Sequence, residues 1–190
     1  MRLTGARGMV YTAGESKESR VNVMEFREMR RNKQQLAQAE CIEILKRNTA
    51  GVLAVSGDGG YPYAVPLSYV YHDGRLYFHC AKSGHKLDAI ARCDRASFCV
   101  IDRDDIVPEK YTTQYASVIA FGRARVVSDE REMREAVELL AIKYSPDVDE
   151  GARTAEIEGA WPRLCMVRLD VEHMTGKEAI ELVRARKEQA

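Results

Sequence analysis

The stretch from Tyr61 to Tyr71 leaves its backbone little choice. Tyr61, Tyr63, Val65, Leu67, Tyr69 and Tyr71 recur at every second position, which is the period of a β-strand, where successive side chains point to opposite faces. Turn signals bracket it, Gly57-Asp58-Gly59-Gly60 before and His72-Asp73-Gly74 after, both rich in residues that accept tight-turn backbone. An apolar run, Gly51–Ser56, precedes the first turn, and Arg75–Ala81 follows the second. The pattern predicts a three-stranded antiparallel meander. Pro62 and Pro66 fall inside its middle strand. Proline cannot donate to a ladder and is confined to edges, bulges or strand starts. Part of this backbone therefore faces something other than a neighbouring strand. The edge of a planar heteroaromatic ligand fits that role, and so does a plain edge strand guarded against aggregation.

Elsewhere, residues 36–47 place Leu36, Cys41, Ile42, Ile44 and Leu45 on roughly one side of a helix. Ser83–Cys93 reads as a short helix with Leu87, Ile90 and Ala91 inward. Ala96–Asp102 is a fourth strand, Tyr115–Val127 a fifth and Leu164–Val171 a sixth. Gly122 inside the fifth marks a bulge or a close backbone approach. Ser128 suits the N-cap of a helix running to Tyr144, with acidic residues in its first turn. Asp147–Gly159 reads as an acidic connector and Gly176–Gln189 as a charged helix. Six short strands with few helices predict a mainly β fold, a small antiparallel barrel, closed or nearly so. The chain divides into a basic arm (1–33, eight Lys/Arg against four Asp/Glu), the barrel (34–175) and a charged C-terminal helix or tail (176–190).

Composition removes several functions. The 29 basic and 29 acidic residues leave a net charge of zero, whereas a nucleic-acid binder carries a basic excess. No segment approaches the ~20 apolar residues that span a bilayer. No apolar run follows the N-terminal basic residues, so no secretory signal is read and a cytoplasmic protein is expected. Cys41, Cys80, Cys93, Cys99 and Cys165 show no CxxC spacing. Reduced, mostly buried thiols and no metal site are expected.

Tyr77-Phe78-His79-Cys80-Ala81-Lys82-Ser83-Gly84-His85-Lys86-Leu87-Asp88 holds the densest chemistry. A strand ends near Ala81 and a helix begins near Gly84. Unpaired N–H groups and the helix dipole, with His85 and Lys86 in the first turn, make an anion or phosphate site. With Leu76, Phe78 and Cys80 turned into the barrel, Tyr77 and His79 point outward. Arg123 and Arg125, also outward, read as surface or interface residues.

These windows, in this order, resemble the FMN-binding split-barrel superfamily of the pyridoxamine 5′-phosphate oxidases, and within it the nitroimidazole-resistance branch. The resemblance runs from Met29 to Lys177. Its carriers are Met29-Arg30-Arg31, Gly59-Gly60-Tyr61-Pro62-Tyr63, Val65-Pro66-Leu67, Tyr77-Phe78-His79-Cys80-Ala81, Gly84-His85-Lys86-Leu87-Asp88, Tyr115-Ala116-Ser117-Val118, Phe121-Gly122-Arg123-Ala124 and Thr175-Gly176-Lys177. It implies a homodimer with FMN in clefts at the subunit interface. His85 and Lys86 would hold the phosphate. Tyr63 and the backbone of Val65, Pro66 and Leu67 would line the flavin ring, His79, Cys80 and Ala81 would run beside ring and ribityl chain, and Ser117 would contribute from a facing strand. The histidine matching His79 is the catalytic candidate. The family's vitamin B6 oxidases carry Arg and Lys in the strand matching Tyr63–Leu67, which here has neither, so that substrate is not expected. No GxGxxG fingerprint is present.

The function expected is an FMN-dependent oxidoreductase acting on small, flat, electron-poor acceptors such as nitroheterocycles. An imidazole, titrating near ~6.5 in water, can supply the proton. The alternatives are a non-catalytic carrier of flavin, deazaflavin or haem with His79 or His85 as an axial ligand, or a stress or interaction module that uses the basic arm.

Overall fold

The computed structural model describes residues 26–188, so residues 1–25 of the expected basic arm and the last two residues of the chain lie outside the described residues. Seven strands form one antiparallel sheet: β1 (Ala50–Ser56), β2 (Pro62–Ser68), β3 (Val70–His72), β4 (Arg75–Cys80), β5 (Arg95–Val107), β6 (Thr112–Val126) and β7 (Cys165–Glu178). Five helices flank it: α1 (Gln38–Arg47), α2 (His85–Arg92), α3 (Glu130–Tyr144), α4 (Glu150–Ala160) and α5 (Ile180–Glu188).

The sheet order is β2-β1-β5-β6-β7-β4-β3. β2 and β3 are its two ends, yet only Tyr69 separates them in the chain. The sheet must therefore curl until its ends meet, which makes it a split barrel. The expected meander is corrected here: Tyr61–Tyr71 is two strands, and the total is seven rather than six. β2 pairs with β1, with Leu53 opposite Val65, while β3 pairs with β4, with Val70 opposite Tyr77. Alternation runs unbroken through Tyr69 because the core stays on one side. Side-chain period reports which face is buried and is silent on which strand receives the hydrogen bonds.

The barrel is filled by Leu53, Tyr69, Leu76, Phe78, Phe98, Val100, Val118, Val167 and Leu169, and α1 adds Cys41, Ile44 and Leu45 to the same core. A second cluster lies outside the barrel, where α3 sets Ala136 and Leu140 against Val70, Tyr77 and Met166. β4 is thus buried on both faces at Leu76–Phe78, and only His79 beyond them is exposed.

Tyr69 has no exposed surface. Its ring meets Phe98 edge-on at 4.8 Å, and its N–H donates to the Tyr144 hydroxyl at 2.8 Å. The single proton of that hydroxyl is shared between the carbonyls of Tyr69, at 3.0 Å, and Thr49. The last residue of α3 thus clamps the point where the barrel closes.

Gly122 sits at a bulge, where the β6–β7 register shifts between Phe121 and Gly122, as the strand-interior glycine suggested. A Cβ there would lie 1.9 Å from the Asp170 carbonyl oxygen. Other local expectations shift. Asp129, not Ser128, caps α3, its Oδ1 accepting from the Glu132 N–H at 2.7 Å. The expected connector at Asp147–Gly159 is mostly α4, capped by Asp149; with Ile157 as its one buried residue it carried no apolar period. In α2, Ala89 is buried while Ala91 is exposed. β5 and β6 extend past Asp102 and before Tyr115, through the charged Arg103-Asp104-Asp105 that hid the strand period. β7 runs on to Glu178, so Gly176 and Lys177 belong to the sheet and the C-terminal helix starts at Ile180. Among the described residues no helix is long and apolar enough to cross a membrane.

Two substitutions probe this closure. Tyr144→Phe removes three contacts and leaves the Tyr69 N–H without its acceptor, an expected loss of ~1–3 kcal/mol in urea unfolding. Gly122→Ala forces backbone apart at the bulge and should lose a similar ~1–3 kcal/mol. Unchanged midpoints in both would show that neither the clamp nor the bulge holds the barrel.

Candidate functional site

The two ends of the sheet are joined at Tyr69 and open beyond it. Among the described residues β2 is bonded to β1 alone, and Pro62 and Pro66 remove two of its donors, as an edge strand permits. β3 covers β4 only from Arg75 to Tyr77. Past that point Phe78, His79 and Cys80 pair with β7 on one side, opposite Val167, Met166 and Cys165. β2 and β4 contact each other, so two open backbone edges form one rim. Along β2, Tyr63, Val65 and Leu67 are half-buried against the barrel core, while Pro62, Ala64, Pro66 and Ser68 are exposed.

α2 closes the end of this rim. Gly84 precedes it at φ 135°, a backbone that L side chains rarely adopt. The Leu87 and Asp88 N–H groups bond back to the Gly84 carbonyl, at 2.9 and 3.2 Å. The N–H groups of His85 and Lys86 come before the helical ladder begins and are open to a ligand. The His85 ring stacks on Tyr63 with centroids 4.1 Å apart. Its Nε2 is 3.4 Å from Asp58 Oδ2, and Arg92 holds the other oxygen of Asp58 at 2.6 Å. A carboxylate therefore already stands on His85, and Lys86, which makes no ion pair among the described residues, is the neighbouring cation for an anion. Lys82 is engaged elsewhere, donating to the Pro162 carbonyl. Ala81 is exposed at the turn between β4 and α2.

Cys80 registers the charge of Lys86. Burial pushes its thiol up to about 11, the Lys86 ammonium pulls the other way, and the Cys165 thiol across the β4–β7 pair adds to the rise. All five cysteines are free thiols. Among the described residues no three His, Cys, Asp or Glu side chains gather as metal ligands.

His79 follows the outward direction of Tyr77 and lines a groove of about 350 Å³ with Ser68, residues of α3 and α4, and Leu164. Ser117 is not brought to the rim within one chain. It lies in β6, three strands along from β2 in the sheet order, half-buried on the face opposite the core. Sequence reasoning missed Tyr144, Glu156 and the α3–α4 wall of the groove. The weak period of α4 offered no signal, and Tyr144 looked like an ordinary helix end.

A split barrel with an open rim between β2 and β4 is the class of protein this fold defines. The chain matches the family model described as Pyridoxamine 5′-phosphate oxidase over residues 37–178. It belongs to the pyridoxamine 5′-phosphate oxidase family. Among solved structures it resembles a candidate 5-nitroimidazole antibiotic resistance protein from Bacteroides thetaiotaomicron, with TM-score 0.65, 20% identity, and coverage of 76% of this chain and 86% of that one. It also resembles the FAD and heme binding protein from Mycobacterium smegmatis, with TM-score 0.64, 20% identity, and coverage of 77% and 73%. A third is an FAD-binding protein from Mesorhizobium loti, with TM-score 0.53, 25% identity, and coverage of 77% and 97%. A search of curated proteins gave no match.

The position of Cys80 sets a pH signature. Its folded value lies above the ordinary 9.0, so the neutral thiol is favoured in the fold; that stabilisation is present below pH 9 and is lost as pH rises through about 11. Only the thiolate alkylates. Iodoacetamide labelling of Cys80, followed by peptide mass spectrometry, should climb through that window, and Lys86→Met should move it higher still. A midpoint at the ordinary 9.0, or no response to Lys86→Met, would place Cys80 in water and away from Lys86.

Proposed function

We propose that this protein is an FMN-dependent oxidoreductase, active as a homodimer, that reduces small, flat, electron-poor molecules such as nitroheterocycles. The observation that carries the reading is the convergence at one rim of the β2 edge, the His79–Cys80 edge of β4 and the N-terminus of α2 with Lys86. Family membership supports flavin chemistry, and two proteins of like fold bind FAD.

The residues fit the group. The N–H groups of His85 and Lys86 after Gly84, with the Lys86 ammonium, suit a phosphate. The free edge of β2, running past Tyr63, Val65, Pro66 and Leu67, offers the Pro66 carbonyl and the main-chain groups of Ala64 to a flat ring, with His79, Cys80 and Ala81 along its other side. FMN would supply the two-electron chemistry and the protein its placement. His79 presents an imidazole to whatever lies at the ring and can hand it a proton. The missing basic residues on β2 argue against a phosphorylated vitamin B6 substrate. An exposed imidazole at an apolar groove also suits a haem ligand, and the like fold of the FAD and heme binding protein favours that second reading; a Soret band in place of flavin absorption would decide for it.

The homodimer rests on the outer face of the sheet. Val52 is 38% exposed and Ile101 62% exposed there, and the register places Pro66, Cys99 and Ile119 in the same row as Val52. A row of exposed and half-buried apolar side chains on one sheet face suits a partner surface. A second copy laid on it would bring the face carrying Ser117 toward the other rim. Light scattering should give a dimer at micromolar concentration, and a flavin-loaded monomer would overturn the arrangement.

Two variants test the roles. Lys86→Ala should weaken FMN by ~1.5–3 kcal/mol, the scale of a hydrogen bond to a charged group, and leave riboflavin unchanged in parallel titrations. Equal losses for both flavins would put Lys86 in the fold rather than on the phosphate. His79→Ala should keep its flavin yet lose ~10²–10⁴-fold in reduction of a nitroaromatic by pre-reduced protein, the usual weight of a positioned acid. Wild-type turnover in that variant would make His79 structural.

A further inference from the structure

The groove beside His79 has walls of its own. α3 contributes Val137, Leu140 and Ala141, α4 contributes Ile157 and Ala160, and Leu164 completes the apolar lining. Polar groups enter at few points: Ser68 at the end of β2, His79 on β4, Tyr144 and Glu156. Tyr144 is committed to the backbone of Thr49 and Tyr69. Ser68 and His79 remain to meet a ligand, and both belong to the open edges of the rim. Glu156 is the one carboxylate in the lining.

From this lining we propose that the α3–α4 groove is the acceptor pocket and that it selects neutral aromatic molecules of one or two rings bearing a single polar substituent. The inference rests on the flavin reading of the adjoining rim and names the substrate class it serves. The volume of about 350 Å³ stands near the lower end of the ~300–1,000 Å³ usual for small-molecule sites, which fits one or two rings and excludes a nucleotide. Aliphatic walls reward the removal of a flat ring from water. Anions are disfavoured twice, because such walls desolvate a charge without pairing it and because Glu156 repels it. The polar substituent is directed toward Ser68 and His79, which turns that end of the molecule to the rim. Ala141 and Ala160 are the two smallest residues of the lining, one on each helix, so a larger side chain at either takes up groove volume.

Two probes of equal ring size test the selection. 2-Naphthol is neutral, and 2-naphthoate carries a charge on the same rings. Isothermal titration of the purified protein should show 2-naphthol binding about tenfold or more tighter than 2-naphthoate, a difference of ~1.4 kcal/mol. Glu156→Gln should narrow that gap by improving the naphthoate. Ala160→Phe and, on the opposite wall, Ala141→Leu should each weaken 2-naphthol about tenfold or more by filling the groove. Flavin content should be the same in all three variants. Should one wall variant fail to fold, judged by circular dichroism, the other still reports. Equal binding of the two probes, or unchanged 2-naphthol affinity in a folded wall variant, overturns the pocket while leaving the flavin reading intact. Protein that binds 2-naphthol with these responses and takes up no flavin keeps the pocket and overturns the rim.

Discussion

Where Tyr69 sits, two ends of one sheet are held together by a single residue. Its ring is packed into the barrel against Phe98, and its backbone N–H and carbonyl are both within reach of the Tyr144 hydroxyl on α3. Lys143 stands over the same ring at 4.2 Å and donates to the Asn48 carbonyl at 2.6 Å. A backbone that changes partners has amide groups that neither neighbouring strand satisfies, and such groups cannot be buried unpaired without loss. The tyrosine hydroxyl supplies both a donor and an acceptor at that spot. Without this closure, β2 and β4 would be the unrelated edges of an open sheet and no rim would exist.

Closure at one point and opening beyond it are linked. Because β3 is three residues long, it covers β4 only to Tyr77, and His79 and Cys80 are left with one strand neighbour each. Because β2 carries two prolines, its free side resists being extended by another strand. α2 follows directly from the turn after β4, where Lys86 is close enough to lower the Cys80 thiol against the larger effect of burial. Local chemistry at the rim is thus set by how little of β4 the barrel needs.

The helices outside the barrel serve a different purpose from the helix that fills it. α1 drives Cys41, Ile44 and Leu45 into the core, and Gly176 lets it approach, since a Cβ there would lie 2.4 Å from the Cys41 sulfur. α3 instead buries Ala136 and Leu140 against the outer side of β3, β4 and β7. By covering Tyr77 and stopping short of His79, it leaves the groove in which the imidazole is presented. α4 adds one buried residue and a set of small and aliphatic neighbours, which is enough for a wall and too little for a core.

Much of this was legible in the chain. Alternation from Tyr61 to Tyr71, the turns on either side, the bulge at Gly122 and the outward direction of His79 follow from the fixed geometry of a strand, in which sequence position dictates face. The order of the motifs was also enough to point to the family. Pairing was not legible. The change of partner at Tyr69, the length of β5 and β6 past their charged stretch, and the helix at Glu150–Ala160 depend on contacts with residues far away in the chain. The same holds within the site. Residue types announced that His85 and Lys86 begin a helix at a turn, but only the folded chain set Asp58 and Tyr63 against His85 and left Lys86 to face Cys80. The sequence by itself determined where the core of each long strand lies, which of its faces is apolar and which groups could carry charge, because these are properties of near neighbours. Tertiary structure alone decided which edges meet, which cation has no ion-pair partner among the described residues and where an apolar groove opens, because each of these depends on distances between parts of the chain that local pattern does not connect.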